Sequence, residues 1–348
     1  MRKGRSDFLT VARFFLWVAS CLPLLAAAEA PLFSSDDPLQ ITLKGPFTQI
    51  DRERDKEAEY PATLSYDADG ETYEFDVKLS VRGNFRLQKK VCSYSQLWVN
   101  FKKGQVKNTV FADQNKLKLV VQCRKSGKYE EYLAREYQAY KAYEQLTDLS
   151  FKTRWLNVSY IDAEKGKTRE HLGFFIEHQK SLAKRHDLKN FKAPKAQRAR
   201  LDPYQSTLAS VYMYLVSNTD YSLIAAPPGE NCCHNVKLLE ASSGVLFPVP
   251  YDFDSTGFVG ASYAEPSAGI NQRAVTQRIY RGYCVDDAIL DRAVSQVLDH
   301  QEQITQIMVD NSRVSEKSAK RSGKYVGEFF AIAADEKRRD RFIDGKCR

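Results

Sequence analysis

The chain has 348 residues, of which 43% are hydrophobic and 28% are charged, and its net charge is +8. This composition is that of a globular protein with a sizeable core, and it excludes collagen-like and intrinsically disordered chains. The positive charge is compatible with anionic partners. No base-reading module is recognisable, however, and we expect no nucleic-acid partner.

The N-terminal segment 1–28 predicts an export signal. The first five residues include three basic side chains, residues 8–25 are mostly apolar, and Ala26-Ala27-Ala28 offers the small residues of a cleavage site. We therefore expect cleavage near Ala28, a periplasmic or extracellular location, and no stable membrane insertion afterwards. The alternative is a retained membrane anchor, because the apolar stretch approaches spanning length.

Removal of this segment takes Cys21 with it and leaves an even set of cysteines: Cys92, Cys123, Cys232, Cys233, Cys284 and Cys347. An even set in an exported chain favours disulfides. Cys92 and Cys123 flank two predicted strands and could join them. The adjacent Cys232 and Cys233 are expected to bond to different partners, with Cys284 a candidate for one of them. Zinc binding by Cys232, Cys233 and His234 is disfavoured, because no second ligand pair lies at the usual spacing.

The N-terminal half predicts strands around one long helix. A short strand is expected at 39–43, and alternating apolar residues predict an antiparallel meander of strands at 73–81, 97–101 and 117–121. Apolar residues at three- and four-residue steps then predict a helix over 129–146, and two further strands are expected at 154–161 and 172–177.

The C-terminal half predicts a buried helix, a hairpin and a helical end. A basic loop with a short helix spans 178–200, and Asp202-Pro203 provides a helix start with a capping aspartate. This helix is expected to end at Asn218-Thr219-Asp220. Strands at 236–239 and 245–249 form the hairpin, and the chain reads as helical from residue 286.

Four polar residues beside these elements suggest a metal-assisted site. Asp220 follows the buried helix, Asn235 precedes the hairpin, and Asp252 and Asp254 follow it. In a site of the protein-kinase type, a first Asp orients the accepting hydroxyl, and a later Asn and Asp hold Mg²⁺ against ATP. Mg²⁺ requires such oxygen ligands. The alternative is that these are solvated turn and strand-end residues.

The segment Asp252-Phe253-Asp254-Ser255-Thr256 also has a second interpretation. A strand followed by D-x-D-x-T resembles phosphatases of the haloacid dehalogenase type, in which the first Asp is the nucleophile. Against this interpretation, the motif lies late in the chain, and too little sequence follows to build a doubly wound sheet.

Residues nearer the N-terminus could bind the nucleotide. Lys118, on the strand before the long helix, and Glu136, on that helix, match the order of a phosphate-binding lysine braced by a glutamate. Arg82, in the Arg82-Gly83-Asn84 turn, is the candidate for a phosphate-facing residue. Glu177 ends an apolar strand, at the position where a kinase-like fold passes from its small lobe to its large lobe and contacts the adenine of ATP. The alternative for each is an ordinary surface or strand-end charge.

Together these residues resemble the CotH family, the atypical kinase-like proteins associated with spore coats. The matching segments are Val81-Arg82-Gly83-Asn84, Lys89-Lys90 to Phe101, Gly173 to Glu177, Asn218-Thr219-Asp220, His234-Asn235 and Pro250 to Asp254. The resemblance implies an α+β, two-lobed atypical protein-kinase-like fold. Its small lobe would hold an antiparallel sheet plus a helix, and its large lobe would be mostly helical.

By this resemblance, a signal peptide (1–28) and an N-terminal extension (29–60) precede a nucleotide-binding lobe (61–178) and a catalytic lobe (179–348). The implied activity is phosphate transfer from ATP, with Mg²⁺ or Mn²⁺, to hydroxyls of an unidentified protein substrate. Asp220 would be catalytic, and Asn235 and Asp252 would bind the metal. We include Asp254 as a further candidate metal ligand. Because ATP is scarce outside the cytoplasm, a catalytically silent scaffold of the cell envelope is the main alternative, and AMP transfer is another.

Overall fold

The structure is a computed structural model that describes residues 30–267 and 269–348. The predicted export signal lies outside the described residues. Seven strands in the N-terminal half form a closed barrel in the order β1-β2-β3-β4-β5-β7-β6. These strands are β1 (Leu39–Gly45), β2 (Tyr60–Ala68), β3 (Glu71–Val81), β4 (Leu97–Phe101), β5 (Lys116–Val121), β6 (Thr153–Asp162) and β7 (Thr168–Ile176).

The barrel closes through β1. This strand pairs with β2 in antiparallel orientation and with β6 in parallel orientation, in a register that runs from Leu39 opposite Leu156 to Gly45 opposite Asp162. The remaining pairs, from β2 round to β6, are antiparallel. Because β1 pairs on both sides, the sheet has no free edge.

The predicted fold class, α+β with a two-lobed kinase-like arrangement, is therefore wrong. The strands predicted from alternation are present, but they belong to a closed seven-stranded barrel in a mixed α/β chain, not to an open sheet plus helix. The physical reason is the parallel β1–β6 pair, which joins segments more than one hundred residues apart. Strand β2 was also not predicted, although Tyr60, Leu64 and Tyr66 are buried and alternate with more exposed residues.

The helices lie outside the barrel and in the C-terminal half. They are α1 (Phe47–Glu53), α2 (Gly127–Glu144), α3 (Gln179–Arg185), α4 (Pro203–Val216), α5 (Asp287–Asp299), α6 (Gln301–Val309), α7 (Glu316–Ala333) and α8 (Glu336–Phe342), with 3-10 helices at Pro31–Phe33, Arg198–Arg200 and Asp344–Lys346. A second sheet has the order β10-β9-β8. Its strands are β8 (Lys189–Asn190), β9 (Val236–Glu240) and β10 (Leu246–Pro250).

Helix α4 forms the centre of the C-terminal half and begins where predicted. Asp202 caps it by accepting a hydrogen bond from the backbone N–H of Gln205 at 2.7 Å, and Pro203 occupies the first turn. Every residue from Gln205 to Val216 is buried. Ser217, with a left-handed φ of 51°, ends the helix and leads the chain to Asp220.

Two large hydrophobic cores contain most of the buried apolar side chains of the described residues. One lies inside the barrel and includes Leu43, Phe75 and Leu119. The other packs α2 and α4 against Trp155 and Phe174 of the barrel strands. Helix α2 therefore links the outer wall of the barrel to the C-terminal half, and the candidate site lies along this helix.

The six cysteines of the described residues form three disulfides. Cys92 pairs with Cys123, as the sequence predicted, whereas Cys232 pairs with its neighbour Cys233 and Cys284 pairs with Cys347. The prediction that Cys232 and Cys233 bond to different partners is wrong. Among the helices of the described residues, none combines the length and apolar character needed to cross a membrane.

Candidate functional site

The centre of the candidate site is the guanidinium of Arg86, which binds three carboxylates. Its Nη1 lies 3.0 Å from Oε2 of Glu136, its Nη2 lies 3.3 Å from Oδ1 of Asp252, and its Nε lies 3.2 Å from Oδ2 of Asp254. We call Glu136, Asp252 and Asp254 the acidic group. One carboxylate oxygen from each lies within 4.8 Å of the others, which is close enough to share a metal ion.

Local structure explains why these residues meet. Glu136 lies on the buried face of α2, and the two aspartates follow β10 on either side of Phe253. The Phe253 ring is fully buried 4.8 Å from the ring of Tyr140, also on α2. The Tyr140 hydroxyl accepts a hydrogen bond from the backbone N–H of Asp252 at 2.8 Å, and Asp252 has a left-handed φ of 64°. Helix α2 therefore fixes the position of both aspartates.

Two carboxylates of the acidic group, those of Glu136 and Asp254, are shifted towards their neutral forms. Burial raises the pKa of Glu136 and of Asp254, whereas the charge of Arg86 acts in the opposite direction on both. Of the Asp252 side chain 39% is exposed, against 3% for Glu136 and 9% for Asp254. Asp252 is therefore the member that a ligand from solvent would reach first.

A cationic group, consisting of Arg82, Lys118 and Lys237, lies next to the acidic group. The ammonium groups of Lys118 and Lys237 lie 4.5 and 4.7 Å from the centre of the Tyr251 ring. Burial, together with the charges of Arg82 and Lys237, lowers the pKa of Lys118 to about 7. These cations repel one another, and a bound polyanion would relieve that repulsion.

Arg82 carries the clearest sign of an absent binding partner. Its Nε and Nη2 atoms are buried and have no hydrogen-bond partner within the part of the chain that the structure describes. Burial, and then the nearby charge of Arg86, lowers its pKa. An unsatisfied buried guanidinium is costly, so this arrangement fits an anion such as phosphate that would accept those hydrogen bonds.

Asp220 and Asn235 meet at the edge of the same cluster. Oδ2 of Asp220 lies 3.0 Å from Nε2 of His234, and the Asn235 side chain donates to the backbone carbonyl of Asp220. The backbone N–H of Tyr251 donates to the Asn235 carbonyl at 3.2 Å, which links this corner to Asp252. Hydrogen bonding to His234 lowers the pKa of Asp220, and the same bond raises the pKa of His234.

Two predicted nucleotide-binding residues have partners that the sequence did not indicate. Glu136 is held by Arg86, whereas Lys118, predicted as its partner, faces Tyr251. Glu177 forms a bidentate ion pair with Arg185, at 3.0 and 3.3 Å, and burial raises its pKa. The nucleotide roles of Lys118, Glu136, Glu177 and Arg82 stay predictions.

The sequence interpretation missed three residues of the site. Arg86 lies in the loop between β3 and β4. This loop has no regular hydrophobic pattern, so the sequence predicts a site residue there only at the preceding turn, at Arg82. Lys237 could have been found, since it is the basic residue of the strand that follows Asn235. His234 was noted beside the cysteines and in the His234-Asn235 motif, but not as the partner of Asp220.

No protein-family model and no curated protein matches this sequence. Membership of the CotH family therefore stays a prediction.

Proposed function

We propose that the chain is an exported phosphotransferase that uses ATP with Mg²⁺ or Mn²⁺ and transfers phosphate to hydroxyls of a protein substrate. The observation that carries this proposal is the proximity of opposite charges: Asp252, one of the three carboxylates around Arg86, acts electrostatically on Arg82, Lys118 and Lys237. A phosphotransfer site needs carboxylates for a metal and cations for phosphates, side by side. The disulfides support the exported location.

The donor set of the acidic group suits a hard divalent cation. Glu136, Asp252 and Asp254 offer only oxygen atoms, and these lie within 4.8 Å of one another. Arg86 balances the carboxylates without such a cation, and Asp252 is the accessible ligand. Asn235 adds a side-chain amide beside the group. A bound Mg²⁺ would neutralise charge on the phosphates of the nucleotide.

The cationic group would hold the phosphates. Arg82 offers two buried donors that have no partner among the described residues, and the two lysines add point charges close to the Tyr251 ring. Arg binds phosphate with a planar fork of donors, whereas Lys acts as a compact charge. Together they would orient the transferred group towards Asp220.

Asp220 would receive the proton of the attacking hydroxyl. Its side chain is 62% exposed, so an acceptor can approach it, and His234 holds one of its oxygens by a 3.0 Å hydrogen bond. The acceptor O–H bond breaks as its oxygen bonds to phosphorus, the proton passes to the carboxylate, and the bond from phosphorus to the ADP oxygen breaks.

A second candidate is a catalytically silent scaffold, and the position of Arg86 favours it. Because this guanidinium already satisfies all three carboxylates at 3.0 to 3.3 Å, the acidic group is stable without a metal. In that case the arrangement would be a structural ion cluster that ties the barrel to the C-terminal half.

The test is incubation of the mature protein with ATP labelled separately at the α- and γ-phosphates, with Mg²⁺ or Mn²⁺ and an added protein acceptor. We expect γ-label in protein, lost in Asp220→Ala, Asp252→Ala and Lys118→Ala. The matched control is Lys116→Ala. Lys116 is on the same strand as Lys118, and its ammonium group lies over the ring of Trp98.

Other outcomes separate the alternatives. Label from the α-position would indicate AMP transfer. Absence of label together with absence of nucleotide binding would support the scaffold. Release of phosphate from a phosphoester that depends on Asp252 and Asp254 but not on Asp220 would support the phosphatase alternative.

A further inference from the structure

A basic groove lies on the surface that α3, β8 and β9 form. It has a volume of about 780 Å³. Lys180 and Lys184 project into it from α3, and Lys189 and Lys192 line it along β8 and the residue pair that follows. We call this the lysine groove.

The lysine groove has a strong excess of positive charge. Its four lysines are exposed, and none of them forms an ion pair with any other residue that the structure describes. The acidic residues that line it are Asp187 and Glu240, and Arg200 neutralises Glu240. Unpaired cations that converge on one depression attract an anionic ligand.

The shape of the lysine groove suits a polypeptide in extended conformation. Leu188, Phe191 and Ala193 give its lining an apolar component between the lysines. Strand β8 is the edge strand of the β10-β9-β8 sheet, and an edge strand can pair with an added segment. A concave, partly apolar surface with an edge strand favours a peptide over a membrane surface, which would engage protruding side chains.

The segment that leaves the lysine groove runs to the candidate catalytic corner. The backbone N–H of Phe191 donates to Leu238 at 3.1 Å, and that of Cys232 donates to Ala193 at 2.8 Å. Lys195 then bridges to Ala225, whose carbonyl accepts from the N–H of His234 at 3.0 Å.

The length of β9 gives the scale of this path. Glu240, at the groove, ends β9, and Asn235, at the site, directly precedes this strand; its five extended residues correspond to about 17 Å. One extended segment could therefore occupy the groove while a hydroxyl about five residues away reaches Asp220.

We propose that the lysine groove docks an acidic segment of the protein substrate and presents a nearby serine or threonine hydroxyl to Asp220. This inference rests on the proposed phosphotransfer, and it names the class of acceptor: a hydroxyl in an acidic stretch of polypeptide.

The test measures docking separately from transfer. The probe is a fluorescein-labelled peptide with one serine between two runs of five glutamates, and its control has glutamine at every glutamate position. Fluorescence anisotropy is recorded for the full mature chain and for Lys184→Glu/Lys189→Glu. The matched control is Lys103→Glu/Lys107→Glu, which reverses two exposed lysines in the β4–β5 loop. If the first variant does not fold, Lys180→Ala/Lys192→Ala replaces it.

We expect the acidic peptide to bind, the glutamine peptide to bind at least tenfold more weakly, and the groove variant to lose at least tenfold in affinity. The β4–β5 loop variant should stay within twofold of the original chain. An equal loss of affinity in both variants would overturn the proposal. It would also be overturned if the chain bound phosphatidylserine vesicles in preference to the peptide and the vesicles displaced the peptide.

The two proposals fail in different ways. If charge-selective binding persists in Asp220→Ala but the original chain transfers no label, the docking proposal stands and the phosphotransfer proposal fails. If label is transferred to both peptides at equal rates and binding is not charge-selective, the phosphotransfer proposal stands and the docking proposal fails.

Discussion

Arg86 and Glu136 form a buried bidentate ion pair, with nitrogen–oxygen distances of 3.0 and 3.4 Å. Arg86 comes from the loop after β3, and Glu136 comes from α2, so the pair joins the end of a barrel strand to the helix outside the barrel. The same guanidinium reaches Asp252 and Asp254 after β10. One side chain therefore connects three parts of the chain and positions every carboxylate of the acidic group.

Replacement of Arg86 by Ala should destabilise the protein by about 3–5 kcal/mol, because it leaves buried carboxylates without a counter-charge. The free energy of unfolding from urea denaturation measures this. Arg82→Ala is the matched control, since the Nε and Nη2 atoms of Arg82 have no partner among the described residues. We expect it to change stability by less than about 1 kcal/mol while weakening nucleotide binding. Equal losses in both variants would contradict the distinct roles assigned to the two arginines.

Lys118 should make stability depend on pH above neutrality. Its pKa is lowered from 10.5 to about 7 by burial and by Arg82 and Lys237, so between these values the folded state binds fewer protons than the unfolded state. The free energy of unfolding of the original chain should therefore rise from pH 7 to pH 10 relative to that of Lys118→Met. We expect a rise of only about 1–2 kcal/mol, because the lysine is partly exposed and solvent screens its charge. Urea midpoints at both pH values test this, and Lys116→Met should follow the original chain.

His234 should titrate above its ordinary range because Asp220 accepts its hydrogen bond. The stabilising contribution is present below pH 6.5 and is lost as the pH rises through the raised pKa of His234. It should amount to less than about 1 kcal/mol, since both side chains are substantially exposed. NMR titration of the histidine ring protons, assigned with His234→Gln, measures the pKa. In Asp220→Asn the pKa should fall towards 6.5, and an unchanged value would argue against the pair.

The Cys92–Cys123 disulfide should stabilise the loop that carries Arg86. It joins residues 31 positions apart, for which the chain-entropy relation gives about 3–4 kcal/mol. The variant Cys92→Ser/Cys123→Ser should therefore lower the free energy of unfolding by that amount in urea under oxidising conditions. A midpoint equal to that of the original chain would show that the bond contributes no stability.

Local patterns in the sequence predicted most elements but not their closure. The alternation of Phe75, Val77 and Leu79 identifies β3, and Asp202-Pro203 marks the start of α4, because both signals depend on neighbours in the chain. The β1–β6 pair depends instead on residues such as Leu39 and Leu156, which are distant in sequence. Without that pair, the predicted sheet stayed open and the fold class was wrong.

The same distinction applies to the candidate site. Asp252 and Asp254 were predicted because they follow a strand, and Glu136 because its helix comes after the strand of Lys118. The structure brings the three carboxylates together. Arg86 could not be assigned, since its role arises from contacts with residues 50 to 168 positions away in an irregular loop. The partner of Glu136 was therefore expected on the adjacent strand, at Lys118.

The most direct measurement is a crystal structure of the mature protein soaked with Mn²⁺ and a non-hydrolysable ATP analogue. The account predicts an anomalous peak within about 2.5 Å of a carboxylate oxygen of Asp252. It also predicts nucleotide phosphates bound to Arg82 and Lys118. Metal-free carboxylates still held by Arg86, with the nucleotide absent or bound elsewhere, would contradict the account and favour the silent scaffold.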